Sequence, residues 1–218
     1  MKQKIIAENG FFVTLEGPEG AGKSTQGRLL AEALRQKGYE VLKTREPGGT
    51  PLGEQLRHLI KHFGDPESVC PQAELLMFGA SRAQLMQNVV LPHLHTGGIV
   101  ICDRFADSTT VYQGCARELD PAFIEQMHQF TIGNRWPDLT LLLDLHIDTG
   151  FRRSHARSGS TAPSDRIEAE PNAFHTAVRN GFLKLARAHP ERIKTVDANA
   201  SAEVVHQEIM EIVARALG

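Results

Sequence analysis

The sequence predicts an α/β fold in three layers, a five-stranded parallel sheet flanked by helices. Three observations carry that prediction. Short apolar runs alternate with longer stretches of helical period along the 218 residues. Two of those runs, 98–102 and 139–143, are almost purely aliphatic, as strands covered on both faces must be. Near the start, a glycine-rich turn joins an apolar run directly to a helical stretch.

The elements follow in order. Residues 11–16 form the first strand, 17–22 the turn, and 23–37 a helix with Leu29, Leu30, Ala33 and Leu34 on one side, ended by Gly38. A second strand spans 39–44, and a loop rich in Gly and Pro spans 45–50. Helices are expected over 51–62 and 71–91, the latter opened by Pro71 and closed before Pro92. The third strand is 98–102, followed by helical stretches 105–115 and 121–132, and the fourth strand is 139–143. A helix over 151–157 runs into the most loop-like segment, 158–164, which contains Gly159 and Pro163. Helix 171–188, strand 192–196 and a terminal amphipathic helix with Val205, Ile209, Ile212 and Val213 complete a single domain over 1–218.

Composition narrows the function. Charged residues (23%) and hydrophobic ones (41%) sit near globular values, so a packed core is expected. A net charge of −2 argues against a general nucleic-acid binder. No apolar run approaches the ~18 residues of a membrane span, and segment 1–10, with Lys2, Lys4 and Glu8, lacks the apolar stretch of a signal peptide. Cys70, Cys102 and Cys115 show no paired or metal-type spacing. Reduced thiols in a cytoplasmic protein are the expectation.

The chemistry begins at Gly17-Pro-Glu-Gly-Ala-Gly-Lys-Ser24, which fits G-x-x-x-x-G-K-[ST] with a strand before it and a helix after it. Glycines let successive backbone N–H groups converge on one point, and the helix N-terminus adds its positive end, so phosphate oxygens are held without a side chain intervening. Gly17, Pro18, Glu19, Gly20, Ala21, Gly22, Lys23, Ser24 and Thr25 are therefore the expected ATP-binding stretch. Lys23 reaches the β- and γ-phosphates, and the Ser24 hydroxyl ligates Mg²⁺. The strand at 98–102 ends in Asp103, which suits the metal's water shell; Leu141-Leu-Leu143-Asp144 repeats the pattern. Asp103 is favoured because Arg104 follows it directly, and Asp144 stays open.

Glu74, Phe78 and Arg82 stand at i, i+4 and i+8 on one predicted helix. An aromatic face beside a guanidinium suits stacking on a nucleobase and reading its edge, although a helical Phe alone is more often core. With these pieces the chain resembles the bacterial thymidylate kinases. The likeness runs from about Phe12 to the C-terminal helix, through Thr44-Arg-Glu-Pro-Gly-Gly-Thr50, Leu75-Leu-Met-Phe-Gly-Ala-Ser-Arg82, Asp103-Arg-Phe105, Tyr112-Gln-Gly114 and Asp165-Arg-Ile-Glu168.

The resemblance implies a P-loop kinase fold with a mobile lid near 150–170, a homodimer, and transfer of the γ-phosphoryl of ATP to dTMP. By the same resemblance Phe78 stacks on thymine and Arg82 bonds its carbonyl edge. Ser108, Thr109 and Gln113 line the pocket, and Tyr112 crowds the sugar 2′ position. Arg104, Glu19 and Arg57 orient the acceptor phosphate, with Glu46 beside them as a contact or a loop brace. Where that family has Tyr or His after the Asp-Arg pair, this chain has Phe105.

No arginine stands at the loop positions Pro18, Glu19 or Ala21, so the cation for the transferring phosphoryl must come from elsewhere. Arg153 and Arg157, at i and i+4 of one helix, and Arg166 beyond the loop are the candidates, in a lid closing over ATP. The bland alternative is a solvated basic helix. Asp165 and Glu168 reach the metal's water shell or pair with Arg166. Two rival readings exist: a kinase for a different monophosphate or nucleoside on the same fold, and an ATP-dependent switch protein.

Overall fold

The computed structural model describes residues 10–64, 67–158 and 165–218; the side chains of His155, Arg157 and Ser158 are not among what it describes. The expectations for segment 1–9, for Gly159 and Pro163, and for the Arg157 side chain lie outside it.

The sheet has five parallel strands in the order β2-β3-β1-β4-β5. They are β1 (Phe11–Glu16), β2 (Val41–Arg45), β3 (Ile99–Asp103), β4 (Leu139–Asp144) and β5 (Ile193–Asp197). β1, β3 and β4 are the inner strands, which is why their residues are almost all buried. The register pairs Leu15 with Asp103 and Glu16 with Leu142, so the C-terminal ends of the inner strands lie side by side. Ligands of open parallel sheets gather at that end. Each strand lies within two residues of its expected bounds; β2 starts at Val41 and includes Arg45.

Helices cover both faces: α1 (Lys23–Gln36), α2 (Pro51–His62), α3 (Pro71–Leu85), α4 (Leu91–His95), α5 (Ala106–Thr109), α6 (Pro121–Ile132), α7 (Ile147–Ser158), α8 (Asn172–Ala188) and α9 (Ala202–Leu217). One core cluster joins α1 and α9 to β1 and β4 through Leu30, Leu34, Val205, Ile209 and Val213. A second lies on the other face, around Phe12, Phe105 and Leu85, with Phe12 and Phe105 edge to face at 5.0 Å. α1 is rotated from its expected face: Leu30, Ala31 and Leu34 are buried with Gln26 and Gly27, whereas Leu29 and Ala33 are half-buried.

Two helical expectations change. The helix expected over 71–91 does not close before Pro92. It widens into a π-helical segment, Met86–Val90, and continues as α4 through Pro92. The Leu91 amide bonds back five residues to Met86 O. Proline offers no amide hydrogen and its ring crowds the carbonyl four residues earlier, so a widened turn lets the chain pass where a regular helix would break. The stretch expected over 105–115 likewise splits into α5 and a π-helical segment, Thr110–Ala116. α7 begins at Ile147, four residues before the expected start at 151.

Candidate active site

The glycine-rich loop rises from β1 and caps α1. Gly22, the N-cap, has φ of 89°, and the first turn of α1 carries no acidic residue, so nothing offsets the positive helix end for an incoming anion. Gly20, with φ of 73°, touches α7: a Cβ there would lie 2.3 Å from Gly150 O, and one on Gly150 would lie 2.5 Å from Glu19 O. Two glycines thus bring the phosphate loop and α7 into backbone contact.

Lys23 is buried and donates to Gly17 O at 3.0 Å and Pro18 O at 2.7 Å. Burial and the neighbouring Arg104 lower its pKa to about 8, against the pull of Glu19, Asp103 and Glu16. Ser24 Oγ donates to Asp103 Oδ2 in a short contact. The alternative carboxylate, Asp144, is engaged elsewhere: Arg179 grips it at 2.7 and 2.9 Å. Of the two, Asp103 is the carboxylate at the loop.

Arg104 follows Asp103 with φ of 67°, a left-handed conformation that costs an ordinary residue about 1–2 kcal/mol. The turn is held from three sides. Arg104 N donates to Leu15 O at 2.9 Å, and the buried Glu16 carboxyl group accepts from Phe105 N at 2.7 Å and is joined to Ser108 Oγ at 2.6 Å. That conformation aims the guanidinium back at the phosphate loop, onto Gly17 O at 3.1 Å and Glu19 Oε1 at 2.5 Å, and lays it over the Tyr112 ring at 5.0 Å. Although burial opposes it, the proximity of Arg104 and Lys23 keeps the Glu19 carboxyl well below the usual carboxylate range.

These groups open into one cavity of about 420 Å³. Of the expected site residues its wall includes Glu19, Gly20, Gly22, Lys23, Ser24, Thr25, Glu46, Arg57, Phe78, Asp103, Arg104, Ser108, Tyr112 and Gln113. Gly17, Pro18 and Ala21 lie behind it in the same loop. Two residues of the wall, Tyr112 and Gln113, each carry a buried polar atom, the Tyr112 hydroxyl and Gln113 Oε1, with no hydrogen-bond partner among the described residues. Arg57 donates to Pro47 O at 2.9 Å; burial and Arg45 lower its pKa against the pull of Glu54 and Asp165.

Arg82 and Thr109 are not in that wall. Arg82 is wholly buried; it forms an ion pair with Glu46 and donates to Thr109 Oγ1 at 2.7 Å. His128 Nδ1 lies 3.3 Å from its third nitrogen. Since arginine only donates, Nδ1 accepts and Nε2–H faces Thr110 Oγ1 at 3.0 Å, in keeping with a His128 pKa lowered to about 3 by burial and Arg82. Arg82 therefore lies outside the cavity wall, braced by Glu46, with its guanidinium 5.6 Å from the centre of the Phe105 ring.

Arg153 donates to Ala198 O at 2.9 Å, and Arg166 pairs with Glu74 at 2.5 Å while bonding Ile60 O. Asp165 does not pair with Arg166; it binds Lys61 at 2.6 Å and caps Ile167 and Glu168. Arg45, Lys61 and Ile167, which also line the cavity, were not anticipated as site residues.

A parallel sheet in this order, with a phosphate loop after β1 and a carboxylate at the tip of β3 meeting the loop hydroxyl, defines a P-loop nucleotide-binding protein; the adjoining aromatic cavity gives it room for an acceptor. The family model for thymidylate kinase matches residues 15–209, and the chain belongs to the thymidylate kinase family. It is 47% identical over 210 residues to the thymidylate kinase of Nitratidesulfovibrio vulgaris (strain DP4), covering 95% of this chain and 93% of that one. With the thymidylate kinase of Pseudomonas fluorescens (strain SBW25) it shares 48% over 200 residues, covering 92% and 93%. The crystal structure of thymidylate kinase from Ehrlichia chaffeensis superposes with a TM-score of 0.74 at 32% identity, covering 94% of this chain and 99% of that one.

Proposed function

We propose that this chain transfers the γ-phosphoryl group of ATP to dTMP, giving ADP and dTDP. The observation that carries this reading is one continuous cavity walled both by the phosphate loop (Lys23, Ser24) and by Phe78, Tyr112 and Gln113. Donor and acceptor are thereby held in a single enclosure, as direct transfer demands.

The roles follow from the contacts. Loop amides and Lys23 take the triphosphate, and Lys23 exchanges the Gly17 and Pro18 carbonyls for phosphate oxygens. Phe78 offers a flat face to the base, and Gln113 Oε1 accepts from a base N–H, which thymine supplies at N3. Tyr112 stands against the sugar. Arg57 and Arg104 converge on the acceptor phosphate, with Glu19 holding Arg104 in place. The acceptor oxygen attacks the γ-phosphorus, the bond to the β-phosphate bridging oxygen breaks, and ADP leaves with that electron pair. With a dianionic acceptor phosphate no general base is required.

Mg²⁺ fits the donor set, since Ser24 Oγ and the Asp103 carboxylate are hard oxygen ligands already in contact. When bound there, the ion neutralises charge on the β- and γ-phosphate oxygens. Arg153, Arg157 and Arg166 are read as the lid cations; the backbone contact of Gly20 with Gly150 supports α7 as a cover for the donor side. The reading places the enzyme in the cytoplasm as a homodimer. α3 and α6 pack together and leave Leu76 (56% exposed), Phe123 (46%) and Phe130 (88%) outside, and sedimentation equilibrium checks the pairing.

An acceptor panel with ATP and Mg²⁺ tests the function. ADP release is expected to be fastest with dTMP; a higher kcat/KM for another nucleoside monophosphate would reject the assignment.

A further inference from the structure

We infer that Glu74 is a positioning residue that sets the base specificity of the cavity, by fixing which end of the Gln113 amide faces the acceptor base. The inference rests on the dTMP reading of that cavity and deepens it.

Glu74 lies on α3 one turn before Phe78 and is 1% exposed. Its Oε1 accepts from Gln113 Nε2 at 2.8 Å. A carboxylate only accepts, so the Gln113 amide can meet it only with its NH₂ end. Turned over, the amide would set a carbonyl oxygen against a carboxylate oxygen with no hydrogen between them. The other end, Gln113 Oε1, is thereby directed away from Glu74. It is buried, it has no partner among the described residues, and its residue lines the cavity.

A lone buried acceptor on a residue of the cavity wall favours a ligand that brings a donor within its reach. The imide N3–H of thymine or uracil is such a donor. The N3 of cytosine is an acceptor and meets Oε1 lone pair to lone pair. The discrimination requires that Glu74 stay ionised, and the structure provides for it. Arg166 Nη2 donates to Oε2 at 2.5 Å, and Arg117 donates to both oxygens at 3.3 Å while pairing with Glu170 and stacking on Phe174. Burial works against the charge, but Gln113 and the two arginines hold the Glu74 carboxyl below the usual range.

The test is Glu74→Gln, which keeps shape and volume but can offer Gln113 either a donor or an acceptor. Steady-state kinetics with dTMP and dCMP would be compared with wild type, after thermal melting has shown the variant folded. The dTMP-to-dCMP ratio of kcat/KM is expected to fall by about tenfold or more, mainly through a higher KM for dTMP with kcat moving less. An unchanged ratio in the folded variant overturns the inference. If wild type itself fails to prefer dTMP over dCMP, the dTMP reading is what fails. Should the variant not fold, the Gln113 side-chain amide of wild type decides by NMR: one Nε2 proton is expected to be protected from exchange with and without dTMP. Both Nε2 protons exchanging freely would overturn the proposal.

Discussion

Glu16 is a residue whose charge the fold disfavours. It is fully buried at the tip of β1, and burial, with Asp107 adding to it, pushes its pKa up to about 8 against Arg104, Ser108 and the Phe105 amide. The folded state therefore holds a proton that the unfolded chain loses near 4.5. A raised carboxyl pKa stabilises fully below the unfolded value, and that stability drains away as pH rises toward the folded one. Glu16→Gln keeps an acceptor for the Phe105 amide and removes the titration. From pH 5 to 8 the unfolding free energy of the variant is expected to fall less than that of wild type, the difference amounting to about a few kcal/mol. Parallel profiles by calorimetry would contradict it. The sequence places Glu16 at the end of the first strand, but its partners Phe105 and Ser108, 89 and 92 residues away, are set by the fold.

At the scale of elements, local chemistry was legible and long-range pairing was not. Gly17–Ser24 reads directly as a phosphate loop because strand, glycines and helix start are consecutive. The choice between Asp103 and Asp144 needed the structure, since Arg179 lies 35 residues from the carboxylate it neutralises. The Arg166 tie to Glu74 spans 92 residues, and the Lys61 tie to Asp165 spans 104. Those ties fasten the segment after α7 to α2 and α3, a link no periodicity announces. Pro92 misled because a π-turn is invisible to an i, i+4 pattern. α7 and the segment after it carry a prediction of their own. Replacing Arg153, Arg157 and Arg166 singly by alanine should lower kcat more than it raises KM for at least one of them, by about tenfold or more if a cation touches the moving phosphoryl. Stopped-flow or coupled ADP assays check this, and three variants with wild-type kcat would refute the lid reading of these arginines.

Across the whole molecule, the sheet order β2-β3-β1-β4-β5 places the phosphate loop, Asp103 and Arg104 at one end of adjacent strands, with α3 and the 110–116 turn closing the cavity beside them. The class of fold was legible from alternation and aliphatic runs; the strand order was not, because it depends on crossovers that short-range patterns do not encode. The central claim is that one enclosure takes both a polyphosphate and a flat imide base. Isothermal titration of dTMP into the folded protein, followed by an ATP analogue with Mg²⁺, tests it most directly. The account predicts a heat of association for dTMP that survives saturation with the analogue, while dCMP gives a much weaker one. Absence of dTMP heat from protein that melts cooperatively, or complete competition between the two ligands, would contradict it.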